Sequence, residues 1–338
     1  MALIGTGIVA GGALGTELQV ITRRAFIPKL IVQLYNATPV LSAGLANAQT
    51  ASGGVSSVTV PVQGAAMTTA QATDASGSFN QPAELVGISE ADYNLKCVVV
   101  PIGFLGMEGL VQMNAAIIPR IEAKMNDAGN QCADYLNTQM WTNATDQSIN
   151  IDGWPLIGAT TGTYGNINRT LAANAFWRAN APALTGTPNP TRQLVLQGII
   201  SAAVANGGEM PNMGVMGPKT WLLLAQDFVG QEQYNITPGS SFDQSAQGAR
   251  AAFTALMVAG VPIYMDVKSP EGQLLLYNTR YHSFYLHEAA SFAFTGFAST
   301  LSNFQLGYVG ALVAVLEHIN VKPASVTTQT GYAFPASI

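Results

Sequence analysis

The sequence predicts a mixed α+β fold, and three features carry that prediction. Strand-forming residues run out and back between about residues 50 and 103. One long helix follows from Pro119. From residue 190 onward short helices and strands alternate before a long final strand. A ribbon, a helix and an α/β region repeat their apolar residues at different periods, so each is legible separately.

The start of the chain comes first. Between Gly15 and Tyr35, apolar Leu18, Ile21, Phe26, Leu30 and Leu34 follow a helical spacing that Pro28 divides. No charged residue occurs from Leu30 to Thr73. Within that stretch VSSVTVPVQG has the β-branched character of a strand, and DYNLKCVVVPI reads as its return. The polar run TTAQATDASGSFNQPAE between them reads as an exposed tip. Such a ribbon buries little of itself, and long excursions of this kind are usually functional.

Pro119 suits a first helical turn. Behind it Ile121, Met125, Ala128, Cys132, Tyr135 and Gln139 recur at three and four residues, and Leu136 and Met140 widen the stripe. From Pro119 to Trp141 such a helix spans roughly 35 Å at about 1.5 Å per residue. The α/β region then reads as a helix in NPTRQLVLQGIISAAVANGG, a strand in MGVMG, and helices in PKTWLLLAQDF and QGARAAFTALMVAG. A strand in VPIYMD, a hairpin or two short strands in GQLLLYNTRYHSFYLHE and a long strand in NFQLGYVGALVAVLEHINV complete it.

Composition narrows the function. Apolar residues make up 48% of the 338, enough for a real core, while charged residues are only 10%. Typical globular chains carry about 25% charge. A chain so poor in charge hides much of its surface in its working state. No window approaches about 20 uninterrupted apolar residues, so the membrane is not the expected cover, and burial against other protein chains is. The net charge of −5 excludes a strongly basic nucleic-acid reader but not a wall that encloses nucleic acid.

Motifs for chemistry are missing. GTGIVA at Gly5 to Ala10 fits the loose dinucleotide fingerprint but lacks the preceding strand and the acid about 20 residues on. His282 and His287 are five apart, on opposite faces of a strand, and read as structural, as does His318 beside Glu317. Cys97 and Cys132 make no metal or redox spacing and read as buried free thiols. The sequons at Asn36, Asn143, Asn168 and Asn235 carry no weight without a signal peptide. No catalytic residue, cofactor or metal is therefore expected. The segment TYGNINRTLAANAFWRANA stands out instead, because Tyr164, Arg169, Phe176, Trp177 and Arg178 are the residue types that anchor protein interfaces.

Taken in order, these elements resemble the major capsid proteins of tailed bacteriophages, the HK-ninety-seven-like capsid fold also found in herpesvirus floors and encapsulin shells. TYGNINRT with FWRAN resembles a signature after the long helix in many such proteins, and LEHINVKPASVTTQTG resembles their usual ending. The resemblance implies an N-terminal arm at 1–40, an extended loop at 50–103, and a spine helix with peripheral-domain elements at 104–189. It further implies an axial domain at 190–290, and a closing peripheral strand with the C-terminus at 291–338. It implies a non-enzymatic subunit that forms pentamers and hexamers around double-stranded DNA without reading its sequence, in a virion assembled in the host cytoplasm. Expected partners are further copies of the chain, a separate scaffolding protein, a portal protein at one vertex and a decoration protein. Tyr164, Arg169, Phe176, Trp177 and Arg178 are then expected where subunits or domains meet, and Val58, Val60 and Val62 against a neighbouring subunit. An encapsulin-like shell around cargo enzymes, and an α/β enzyme at 190–290, are the competing expectations.

Overall fold

The computed structural model of the chain describes residues 38–64, 88–105, 117–146, 149–229, 255–300 and 307–336. The helix expected at Gly15 to Tyr35, GTGIVA and the tip of the ribbon lie outside these residues.

Within the charge-free stretch, the described residues begin with helix α1 (Pro39–Ala46) and a short strand β1 (Gln49–Ala51). The ribbon is β2 (Ser57–Gln63) against β3 (Ile88–Asn94), antiparallel from Ser57 opposite Asn94 to Gln63 opposite Ile88. After one residue the chain re-enters as β4 (Lys96–Leu105). Inward Lys96, Val98 and Ile102 alternate there with outward Cys97, Val99 and Gly103, as one buried sheet face requires. The long helix α2 (Ile117–Thr142) packs across β4. Its buried face holds Met125, Ala128, Cys132, Leu136 and Met140. Tyr135 leaves the expected stripe: it faces outward, and its hydroxyl donates to Asn150 Oδ1 at 3.2 Å.

A one-turn helix α3 (Trp154–Ile157) leads to two minimal strands, β5 (Thr163–Tyr164) and β6 (Ile167–Asn168), and a 3₁₀ turn at Ala172–Trp177. Next come α4 (Arg192–Ala205), β7 (Met213–Met216) and α5 (Pro218–Val229). Thr191 caps α4, its side chain accepting the Leu194 amide. The helix expected in QGARAAFTALMVAG is corrected at its end: β8 (Leu256–Val258) turns through Ala259 and Gly260 into β9 (Val261–Met265). Both turn residues have positive φ, 49° and 84°, the geometry of a two-residue hairpin.

The last strands are β10 (Gln273–Tyr277), β11 (His282–His287), β12 (Ala293–Phe294), β13 (Ala298–Ser299), β14 (Gly307–Asn320) and β15 (Thr327–Thr330). They sort into two sheets. In the first, β14 pairs along one edge with β4 and along the other with β11, β12 and β13, and β1 joins β11 in parallel. The second runs β15-β10-β7-β9-β8 and carries α4 and α5. Of the two expectations for GQLLLYNTRYHSFYLHE, the two short strands are present and the hairpin is not: β10 and β11 belong to different sheets, separated by a 3₁₀ turn at Thr279–Tyr281. The chain crosses back after β14, and β15 closes the edge of the second sheet.

Candidate functional site

The segment that stands out in the sequence ties three parts of the molecule together. Gly165 and Asn166 join β5 to β6 with φ of 57° and 62°, a turn that favours glycine and asparagine. Gly165 is required a second time by space, since a Cβ there would lie 2.9 Å from the Tyr93 ring. Its carbonyl accepts the Asp92 amide at 3.1 Å, and the Tyr93 and Tyr164 rings meet edge to face at 5.3 Å. The turn is thus the seat of the return strand of the ribbon. The outgoing strand passes Phe176, whose ring a Cβ on Gly64 would overlap.

The other side chains fasten this seat inward. The Asn320 amide at the end of β14 donates to the Tyr164 hydroxyl at 2.9 Å, and Trp177 Nε1 donates to the Tyr164 carbonyl at 2.9 Å. Arg169 donates to the carbonyls of Leu156, Ile157 and Ala159 at 2.8, 3.1 and 2.8 Å, closing the C-terminal end of α3. Arg178 donates to the carbonyls of Arg169, Thr170 and Leu171 at 2.6, 3.1 and 3.1 Å. Beyond it Asn180 exchanges backbone hydrogen bonds with Val326 and Thr328, alongside β15. Ribbon, first sheet and edge of the second sheet therefore meet on one segment.

Of the two places expected, where subunits or where domains meet, this geometry puts Tyr164, Arg169 and Trp177 between parts of one chain. Tyr164, Arg169 and Trp177 are 0%, 0% and 2% exposed in the single chain. They fill its own core and leave no surface for a neighbour. Phe176 and Arg178 are half-buried, and Val58, Val60 and Val62 pack partly against the first core. The residue types are the same in a core as at an interface, so the sequence alone did not separate the two.

Deeper in the first sheet lies a group that the sequence reading passed over. Lys96, Asp152 and Glu317 are 2%, 1% and 0% exposed. Lys96 Nζ stands 2.5 Å from Glu317 Oε2, 3.3 Å from Asp152 Oδ1 and 3.8 Å from Asp146, which is itself 40% exposed. Glu317 Oε1 accepts the amides of Asp152 at 2.7 Å and His318 at 3.0 Å. Burial, then the neighbouring Asp152, pushes the Glu317 carboxyl up to about 8, against the pull of Lys96. Burial pushes Asp152 up to about 6, again with Lys96 opposing. Burial draws the Lys96 amine down, but Glu317 and Asp152 outweigh it and the net direction is up. A lysine opening an apolar strand and a glutamate inside VAVLEHIN were the available signals, because buried charges need partners.

Beside it, His282 and His318 meet at 4.8 Å among Trp154, Tyr277 and Phe284. His318 Nδ1 lies 2.6 Å from the Asp152 carbonyl, to which it donates, whereas neither ring nitrogen of His282 has a hydrogen-bond partner among the described residues. Burial lowers both, His318 to about 4, with His318 lowering His282 further. His287 lies apart, half-buried, its Nδ1 accepting the Ala289 amide. Cys132 is buried as expected; Cys97 is exposed, on the outward face of β4. Among the described residues no group of three His, Cys, Asp or Glu is placed to hold a metal ion, and no helix is long and apolar enough to cross a membrane.

The outer surface carries apolar residues in two places. Leu196, Ile200 and Val204, spaced by four on α4, are 37%, 50% and 75% exposed, while Val195, Ile199 and Ala202 on the same helix are buried. A groove between β4 and α2 is lined by Val99, Tyr135 and Ile149, each at least 40% exposed.

By sequence, the chain matches no protein-family model and no curated protein. By structure it is similar to the capsid protein of cyanophage A-1(L), with a TM-score of 0.65 at 13% identity over 88% of this chain and 93% of that one. It is also similar to the capsid protein of a native GTA particle, with a TM-score of 0.56 at 12% identity over 86% and 91%. The encapsulin SrpI of Synechococcus elongatus gives 0.52 at 10% identity over 93% and 92%. These likenesses run over most of each chain, and they show that this chain has the α+β, HK-ninety-seven-like capsid fold.

Proposed function

We propose that the chain is the major capsid protein of a tailed phage, a non-enzymatic subunit that assembles into pentamers and hexamers around double-stranded DNA. The observation that carries this reading is the likeness to the cyanophage capsid protein, which spans nearly the full length of both chains. Two features support it. Charge is only 10% of the sequence, as suits a protein whose flanks meet copies of itself. The α4 stripe of Leu196, Ile200 and Val204 offers an apolar face that nothing within the described residues covers. A separate scaffolding protein, a portal, a decoration protein and assembly in the host cytoplasm belong to the same reading.

The encapsulin likeness favours a second reading, a shell around a protein cargo. Electron microscopy and nucleic-acid quantitation of particles purified from the native source decide between them. Shells filled with DNA bear out the first, DNA-free shells holding a protein cargo bear out the second, and a small soluble oligomer that never forms shells overturns both.

A further inference from the structure

We propose that Lys96 and Glu317 condense to form an isopeptide bond within one chain, with Asp152 as the proton carrier. The inference rests on the internal cluster and does not depend on whether the chain builds a shell.

The chemistry begins with a count of charges. One ammonium faces two carboxyl groups, all 2% exposed or less, Asp146 stands at the solvent edge 3.8 Å from the amine, and the buried Arg169 guanidinium acts on Asp152 from farther off, so two cations stand against three carboxyl groups. A buried site does not tolerate an unbalanced charge, so one carboxyl carries a proton. Glu317 is the better holder of it: it is fully buried, whereas Asp152 also feels the Arg169 guanidinium, which favours its ionised form. A protonated carboxyl is an electrophile, whereas a carboxylate is not. Asp152 is left ionised, 3.3 Å from the amine, as the base.

Position points the same way. The amine nitrogen lies 2.5 Å from Glu317 Oε2, while Oε1 faces two backbone N–H donors at 2.7 and 3.0 Å. Those donors stand where negative charge develops when a carbonyl carbon is attacked. In the reaction Asp152 takes one ammonium proton, and the nitrogen lone pair forms a bond to Glu317 Cδ. Negative charge gathers on Oε1. The Cδ–Oε2 bond then breaks as Asp152 returns its proton to Oε2, which leaves as water, and Asp152 accepts the second nitrogen proton. An ammonium, a carboxylate and a carboxylic acid become an amide, a carboxylic acid and water, with atoms and charge balanced and no other reactant needed. Burial favours the product, since a neutral amide replaces a buried ion pair and its oxygen keeps both N–H donors. The bond would join the first residue of β4, at the root of the ribbon, to the central strand β14.

The test is the intact mass of the full chain, purified and denatured. The expected mass is lower than that of the sequence by one water, and proteolysis should yield a peptide pair linked between Lys96 and Glu317. A full sequence mass overturns the proposal, as does a link from Lys96 to Asp152 or Asp146. Asp152→Asn, shown to be folded by circular dichroism, should carry the full mass. If the folded variant keeps the bond, Asp152 is not the proton carrier. If it fails to fold, the wild-type mass and linked peptide alone decide.

Discussion

The two sheets solve the problem of a core in opposite ways. The second is filled by aliphatic side chains such as Val195, Ile199, Leu224, Ile263 and Leu274. The first holds Trp141, Trp154 and Trp177 together with Lys96, Asp152, Glu317, His282 and His318. An aliphatic core is indifferent to pH and to the direction of approach. An ionised, aromatic core depends on each partner being in place. Sensitivity to pH and to single substitutions should therefore lie in the first sheet, and the second should tolerate changes on its outer helix.

Trp177→Ala gives the largest expected effect, a loss of about 4 kcal/mol through the cavity and the lost bond to the Tyr164 carbonyl. Urea unfolding of the unassembled chain measures it. Unchanged unfolding with failed assembly would return Trp177 to an interface role. Lys96→Met should cost about 3 kcal/mol, because Glu317 and Asp152 are left as buried carboxyl groups with neither a cation nor a bond to Lys96. A matched loss for Ile199→Val, expected to cost only about 1 kcal/mol, would erase the contrast between the cores.

The third expectation concerns pH. The folded-state values of His282 and His318 lie below the unfolded one, so the unfolded chain binds more protons as pH falls through 6.5. Their contribution is complete above about pH 6.5 and is lost towards about 4, at up to about 1.4 kcal/mol per pH unit for each histidine. In a chain whose Lys96 and Glu317 are not joined, raised Glu317 and Asp152 act in the opposite sense, losing stability as pH rises from the ordinary carboxyl range to about 8 and 6. His282→Leu isolates one histidine. It should be within about 1.5 kcal/mol of wild type at pH 7 and fall less steeply between pH 6.5 and 5. Parallel melting curves for the two proteins over that range would contradict the assignment. Smallest of all, Val204→Lys on the exposed stripe should change subunit stability by no more than about 0.5 kcal/mol while reducing sedimentable assemblies. Normal assembly would show that this face is not a contact.

How much of this was legible follows the physics of each element. The α2 stripe and the alternation of β4 are local periodicities, and Met125, Ala128, Cys132, Val98 and Ile102 sit where those periods put them. The separation of β10 from β11 was not legible, because sheet membership depends on partners far away in sequence. The site was readable only as a list of residue types. Tyr164, Arg169 and Trp177 announced a built feature, but their direction, inward, is a property of the packed chain. The ionisable cluster needed strands β4 and β14 to be neighbours before its members could be seen together.

The chain passes between its sheets by way of Asn278–Tyr281 and again by way of Val321–Val326. The two passages are clasped side by side: the Val321 amide donates to the Tyr281 carbonyl at 3.0 Å, Lys322 stands 5.1 Å from the Tyr281 ring, and Glu209 takes the Tyr281 hydroxyl at 2.8 Å. Two crossings fixed at one place act as a clasp, and Met213, Val215, Leu275 and Tyr277 of the second sheet share the core of the first, so the two sheets are held to each other at the crossings and through their packing. Hydrogen exchange at the Val321 amide should therefore be as slow as in the strands on either side of it, and fast exchange there would show that the clasp opens by itself. In the capsid role proposed above, such a clasp would let the subunit bear load as one piece.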